Sequence, residues 1–193
     1  MSNLRSSFLL EPPEQPLPPA LAFIRQARFC LRESYLVKIE GALGVLSDDQ
    51  IWWRPNESSN SIGNLLLHLA GNLRQWVIAG VGGAEDLRDR QGEFNERKQL
   101  GKAELLDLLK TTIAEVDGVM ADLEKEINIT QSDEPLQREC LPQGFRQTVF
   151  DVLFHIVEHF SYHTGQIVYI AKSLESGQLR FYDDQQLSGR STR

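Results

Sequence analysis

The cleanest pattern in the chain is a run of apolar positions at Leu109, Ile113, Val116, Met120, Leu123 and Ile127, which step by four, three, four, three and four. That spacing keeps one face of a helix apolar and predicts a buried helix there. An earlier helix is predicted over about residues 19–46, with Leu36, Ile39, Leu43 and Leu46 on one face and Gly41 and Gly44 weakening its last turns. A second helix follows a connection that holds Trp52, Trp53 and Pro55. Ser59, Asn60 or Ser61 can cap it, Ile62, Leu65, Leu69, Leu73 and Trp76 mark its stripe, and Gly80 to Gly83 end it. The last helix starts at a capping box of Thr148 and Asp151 and runs to about Leu174, with Gly177 as its stop. Its stripe reads Val149, Val152, Ile156, Phe160, His163, Ile167, Ile170 and Leu174, so His163 falls in an apolar slot.

Between these helices the pattern lapses. Residues 85–101 are too charged for a core and read as a long surface loop, and residues 128–148 are irregular, with a short hairpin around Pro142 to Gly144. Four amphipathic helices predict an all-α fold, a four-helix bundle. The expected organisation is a proline-rich lead-in over 1–18, the bundle over 19–176 and a flexible tail over 177–193.

Composition narrows the function. The 193 residues suit one domain, and a formal charge of −7 argues against affinity for nucleic acid or anionic membranes, which needs a basic face. No apolar run approaches the roughly 20 residues that span a bilayer, and the N-terminus makes a poor signal peptide. Two cysteines without close spacing, Cys30 in a helix and Cys140 in a loop, point to a reducing cytoplasm rather than a disulfide framework.

The candidate chemistry lies in the histidines. His155, His159 and His163 recur every four residues in the last helix, and His68 lies in the second. Imidazole is the commonest nitrogen ligand of divalent metals, and a buried ring without a partner costs roughly 1–3 kcal/mol. His155 and His163 are about 12 Å apart along the helix axis. Ligands lie about 2 Å from their ion, so the pair that joins His68 is either 155/159 or 159/163. The first pair makes H-x-x-E-H, the inverted zinc-peptidase pattern, with Glu158 as general base. Glu158, however, lies on a flank away from the apolar stripe. The second pair is followed by Gly165, which admits close approach, and by Gln166, which can hydrogen-bond a ligand from one turn away. Asn72 is placed to do the same for His68.

The segments SIGNLLLHLAGNLRQW (61–76) and HIVEHFSYHTGQIVYIAKSL (155–174) resemble the DinB-like (YfiT-like) metalloprotein superfamily, and the resemblance covers about residues 20–175. It implies an up-down-down-up bundle with a long crossover, often a homodimer. It also implies one divalent ion, typically zinc or nickel, on His68, His159 and His163, with His155 as a pocket residue or a hydrogen-bond partner of the ligands. Members of that superfamily with known activity are metal-dependent transferases of low-molecular-weight thiols such as bacillithiol or mycothiol, and related isomerases.

A three-histidine ion with open positions could activate water or a thiol against a small-molecule substrate. Entry is expected near the polar segment after the second helix. Trp52, Trp53 and Arg54 either line that mouth or pack on the bundle, and Glu158 is the one nearby carboxylate that could act as base. The contrasting expectation is a metal-binding, stress-associated interaction module without catalysis. A structural zinc site would want a fourth ligand, and neither cysteine is near. A di-iron centre is disfavoured because no E-x-x-H repeat occurs in paired helices.

Overall fold

Pro19 sits in the first turn of α1, where its missing N–H costs nothing. In the computed structural model, which describes residues 16–97, 100–175, 177 and 179–181, the first rod comprises α1 (Pro19–Phe29), a π-helical stretch (Cys30–Tyr35) and α2 (Leu36–Gly44). The wider π turn shifts the buried line to Leu31, Ile39, Ala42 and Leu43, leaving Leu36 half-buried. The second rod repeats the device. α3 (Ile62–Leu73) runs into a π-helical stretch (Arg74–Ala79), so Val77 takes the core position expected of Trp76. Ser61 caps α3: its hydroxyl accepts from the Asn64 N–H at 3.1 Å, and Asn64 Oδ1 accepts from the Ser61 N–H at 3.2 Å.

The stripe that predicted the third bundle helix is buried as expected along α5 (Lys102–Thr130), and Gln131 closes that helix in the left-handed region at φ 52°. A short α6 (Glu134–Gln137) precedes an antiparallel hairpin of β1 (Glu139–Cys140) and β2 (Gln147–Thr148), in the expected place. Thr148 then caps α7 (Val149–Leu174), accepting from the Asp151 N–H at 3.1 Å. Beyond Gly177 the described chain still packs: Leu179 is buried, and the Phe181 ring lies against Gly41. The rest of the predicted tail, and residues 1–15 of the lead-in, lie outside the described residues.

Side-chain pairs fix the direction of each helix. Arg25 meets Glu124, Arg28 meets Asp117 and Lys110 meets Glu40, so α5 runs antiparallel to the first rod. Phe23 packs on Phe150 and Tyr35 on Phe160, so α7 runs parallel to it. Arg74 pairs with Glu115, and Gly82 lies beside Val119, so α3 and α5 are parallel. The topology is therefore up-down-down-up, all-α apart from the hairpin. Among the described residues no helix is long and apolar enough to cross a membrane.

The parallel pair obliges the chain to return along the bundle between α3 and α5. That return was expected to be a surface loop. It instead carries α4 (Arg90–Asn95), capped by Asp89 through the Gly92 N–H at 3.0 Å, and Glu93 is only 8% exposed. Asn64 Nδ2 holds it down by donating to the Glu93 and Glu96 carbonyls at 2.9 and 3.1 Å.

Candidate metal centre

The apolar line of α7 passes from Phe160 to Thr164, Ile167 and Ala171 rather than through His163. A step of four replaces the expected step of three, and His163 turns toward α3. There it meets His68 and His159. His68 Nε2 lies 3.0 Å from His159 Nε2, and His163 Nε2 lies 3.2 Å from the same atom. One nitrogen from each of these three rings falls within 4.8 Å of the others. Tetrahedral ligands at zinc–nitrogen distances would be separated by roughly 3.3 Å.

The far side of each outer ring is held. His68 Nδ1 is 3.0 Å from Glu93 Oε2, and His163 Nδ1 is 2.7 Å from Gln166 Oε1. Burial pushes the Glu93 carboxyl up, but hydrogen bonds from Arg88 and His68 and the Arg88 charge outweigh it, leaving it below the ordinary glutamate range. An ionised carboxylate can only accept and a guanidinium only donate, and Arg88 Nη2 also lies 3.0 Å from His68 Nδ1; with its proton on Nδ1 and shared with Glu93, His68 presents the Nε2 lone pair to the cluster. The Gln166 carbonyl oxygen imposes the same tautomer on His163. His159 Nδ1 is buried with no partner among the described residues. Burial first, then the neighbouring imidazoles, pushes His159 down to about 3, and burial also lowers His163. All three Nε2 lone pairs can then converge. If His159 Nε2 instead carried a proton, it could serve only one neighbour. A cation between the rings satisfies all of them, so the donor set fits a divalent ion.

The other sequence candidates divide. Gln166 lies one turn after His163 and within hydrogen-bond reach of its Nδ1. Asn72 does not reach His68; its amide faces His155 Nε2 at 3.5 Å, because α3 and α7 are antiparallel and the residue one turn after His68 lies opposite the residue one turn before His159. His155 stacks on Trp76 with ring centroids 4.0 Å apart, outside the three-ring group. Glu158 is exposed on α7. Gly165 is also exposed, and a Cβ there would touch nothing, so no neighbouring helix needs its smallness. Trp52 donates to the Leu100 carbonyl at 3.0 Å and packs on Gly63, where a Cβ would come within 2.7 Å of its ring. Trp53 is exposed, and Arg54 folds back on Glu57.

Sequence reasoning missed Glu93 and Arg88. Arg88 donates to both Glu93 oxygens, at 2.6 and 2.8 Å, with its side chain 3% exposed. Phe94 lies over His68 at 4.9 Å between ring centroids. The signals available were Asp89 as a helix cap and Phe94 as an apolar residue in a polar run. A pocket of about 300 Å³ does open at this segment, lined in part by Gly71, Asp86, Arg88 and Glu93, but none of the three histidines lines it. An open groove of about 600 Å³ lies between the 55–60 turn and α7, lined in part by Asn60, Tyr162, Gly165, Tyr169 and Gln166, the partner of His163. Trp52, Trp53 and Arg54 lie outside its lining.

Solved structures that share this fold include two DinB-like proteins. A DinB-like protein from Bacillus subtilis, YjoA, superposes with a TM-score of 0.54 at 17% identity, covering 86% of this chain and 99% of that one. A DinB-like protein from Bacillus cereus gives a TM-score of 0.51 at 14% identity, covering 74% and 92%. No curated protein matches the chain. The model of one sequence family, described as protein of unknown function (DUF1572), matches residues 20–183. The chain belongs to that family, and its bundle is of the DinB-like kind.

Proposed function

We propose that the chain holds one divalent ion, zinc or nickel, on Nε2 of His68, His159 and His163, and uses it as a metal-dependent transferase of low-molecular-weight thiols acting on a small-molecule substrate. The observation that carries this reading is the convergence of three Nε2 atoms at 3.0 and 3.2 Å. Among the described residues no fourth histidine, cysteine or carboxylate joins the group, which favours an open coordination position over a closed structural site. When bound, the ion supplies Lewis acidity and lowers the pKa of a coordinated thiol or water.

The chain's own residues support thiol transfer over hydrolysis. Glu93 is committed to Arg88 and His68, and Glu158 lies on the exposed side of α7 outside the three-ring group, so neither is poised as a base for water at the rings. A thiol bound as thiolate needs less help from a base. Gln166 and Glu93 hold the rings that would bear the ion, Phe94 shields His68 from solvent, and the groove beside Tyr162 and Gln166 is large enough for a small substrate. A cytoplasmic home fits a thiol-dependent reaction and two free cysteines. A homodimer completes the reading; Phe150 and Phe154, both exposed on α7, offer apolar surface for it.

The test is elemental analysis of untagged protein, followed by turnover of a model electrophile with a low-molecular-weight thiol. About one ion per chain with thiol-dependent turnover is the expected result. Metal binding without turnover on any thiol would leave the alternative of a binding module, and no metal even when zinc or nickel is supplied would end the proposal.

A further inference from the structure

The crossover between α3 and α5 supplies a buried ion pair that no bundle helix needs for packing. Arg88 and Glu93 form a two-pronged pair against α3, and Glu93 Oε2 and Arg88 Nη2 both lie 3.0 Å from His68 Nδ1; Arg88 Nη2 already donates to Glu93 Oε2 at 2.8 Å, which leaves the carboxylate as the partner of an Nδ1 proton. Arg88 is fixed further by donating to Gln75 Oε1 at 2.9 Å. The pair approaches the helix at Gly71, one turn after His68, where a Cβ would collide with the Glu93 carboxylate. Two independent contacts, the Asn64 amide on the α4 carbonyls and the missing side chain at Gly71, thus bring one carboxylate to one histidine nitrogen.

From this geometry we infer that Glu93 is a positioning residue of the metal centre: it holds His68 in the Nδ1–H tautomer and orients its Nε2, while Arg88 keeps the carboxylate in place and balances its charge. The inference rests on the three-histidine reading for its metal consequence, but not for its effect on the tautomer. A carboxylate behind a ligating imidazole raises the basicity of the ligand, and loss of such a partner typically costs about 10–100-fold in metal affinity. Arg88 offsets part of that gain by sharing the same oxygens.

The experiment compares wild type with Glu93→Gln, Glu93→Ala and Gly71→Ala, the last displacing the carboxylate without altering Glu93 or any ligand. Zinc affinity is measured by competition with a chromophoric chelator, and the His68 tautomer by nitrogen-15 NMR of metal-free protein. Wild type should show His68 protonated on Nδ1. Glu93→Ala and Gly71→Ala should move the proton toward Nε2 and weaken zinc by about 10–100-fold. Glu93→Gln, which keeps one acceptor, should retain the tautomer and lose less. If Glu93→Ala does not fold, Gly71→Ala and Glu93→Gln decide.

Unchanged tautomer and affinity within about twofold in folded Gly71→Ala and Glu93→Ala would overturn the inference. Wild type that binds no zinc, yet shows the tautomer change, would sink the metal reading while upholding the role of Glu93.

Discussion

His68 and His159 face each other through their Nε2 atoms at 3.0 Å, from antiparallel helices and 91 residues apart in the chain. Neither ring is placed by local sequence alone. The contact exists because α3 and α7 pack with their histidine-bearing faces together, and His163, one turn on, closes the group. Replacing His68, His159 or His163 by alanine should abolish retention of the ion, whereas His155→Ala, which loses contacts with Trp76, Asn72 and the His159 ring but no nitrogen of the three-ring group, should retain it. Metal content of the purified variants checks this. Loss with His155→Ala and retention with His163→Ala would reverse the assignment.

The first rod and α5 are tied by Arg28, which donates to both oxygens of Asp117, at 2.7 and 3.0 Å, and to Glu124 at 2.7 Å. The Arg28 hydrogen bond, working against burial and aided by the Arg28 and Arg32 charges, holds the Asp117 carboxyl below its ordinary value of 3.8. A lowered folded pKa adds stability that is present above the unfolded value and lost as pH falls through the folded one. Asp117→Asn should therefore destabilise the protein by about 1 kcal/mol at neutral pH. The gap from wild type should close as pH drops below 3.8. A gap independent of pH in urea denaturation would show that charge is not the cause.

Two helical glycines should respond oppositely to alanine. A Cβ at Gly118 on α5 meets nothing, so Gly118→Ala should stabilise by about 1 kcal/mol through helix propensity. At Gly63 a Cβ would press into the Trp52 ring, so Gly63→Ala should cost about 1–3 kcal/mol. Thermal melts of the two variants would decide, and a stabilised Gly63→Ala would mean that Trp52 moves aside freely.

Thr148 and Asp151 exchange hydrogen bonds at the start of α7, with the Thr148 N–H donating to Asp151 Oδ2 at 2.9 Å. Thr148→Ala should lower stability by about 1 kcal/mol. Since the cap lies two turns before His155, metal affinity should stay within about twofold, as read by chelator competition. A large loss would mean that the helix start controls the ring positions.

The bundle was legible because its helices carry long, regular stripes and explicit caps: the α5 line from Leu109 to Ile127, Ser61 before α3 and Thr148 before α7 are local signals. Where the structure departs from the stripe, the cause is a change of helical pitch or a choice between steps of three and four. The π-helical stretch at Arg74–Ala79 exchanges Trp76 for Val77, and Thr164 takes the slot assigned to His163. The three rings could be picked out from their spacing and their resemblance to a known superfamily. Glu93 could not. Its burial depends on Arg88, five residues earlier, and on Gly71 and Asn64 in another helix, so a charged segment that reads as solvated is neutralised from within. Charge alone does not tell a reader which side of the chain faces water.

Because α3 and α5 point the same way, the chain has to travel back over the roughly 27 Å length of the second rod before α5 can begin. Antiparallel neighbours could have been joined by a few residues and would have left His68 bare on its outer side. The return journey gives the protein a spare stretch of backbone that is almost free of core duty, yet passes the histidines at close range. Substitutions there can alter what lies behind the ligands while the ligands and the bundle stay as they are. Relatives with the same three rings and different crossovers would then hold the same ion with different strength, and the crossover is where such differences should first be sought.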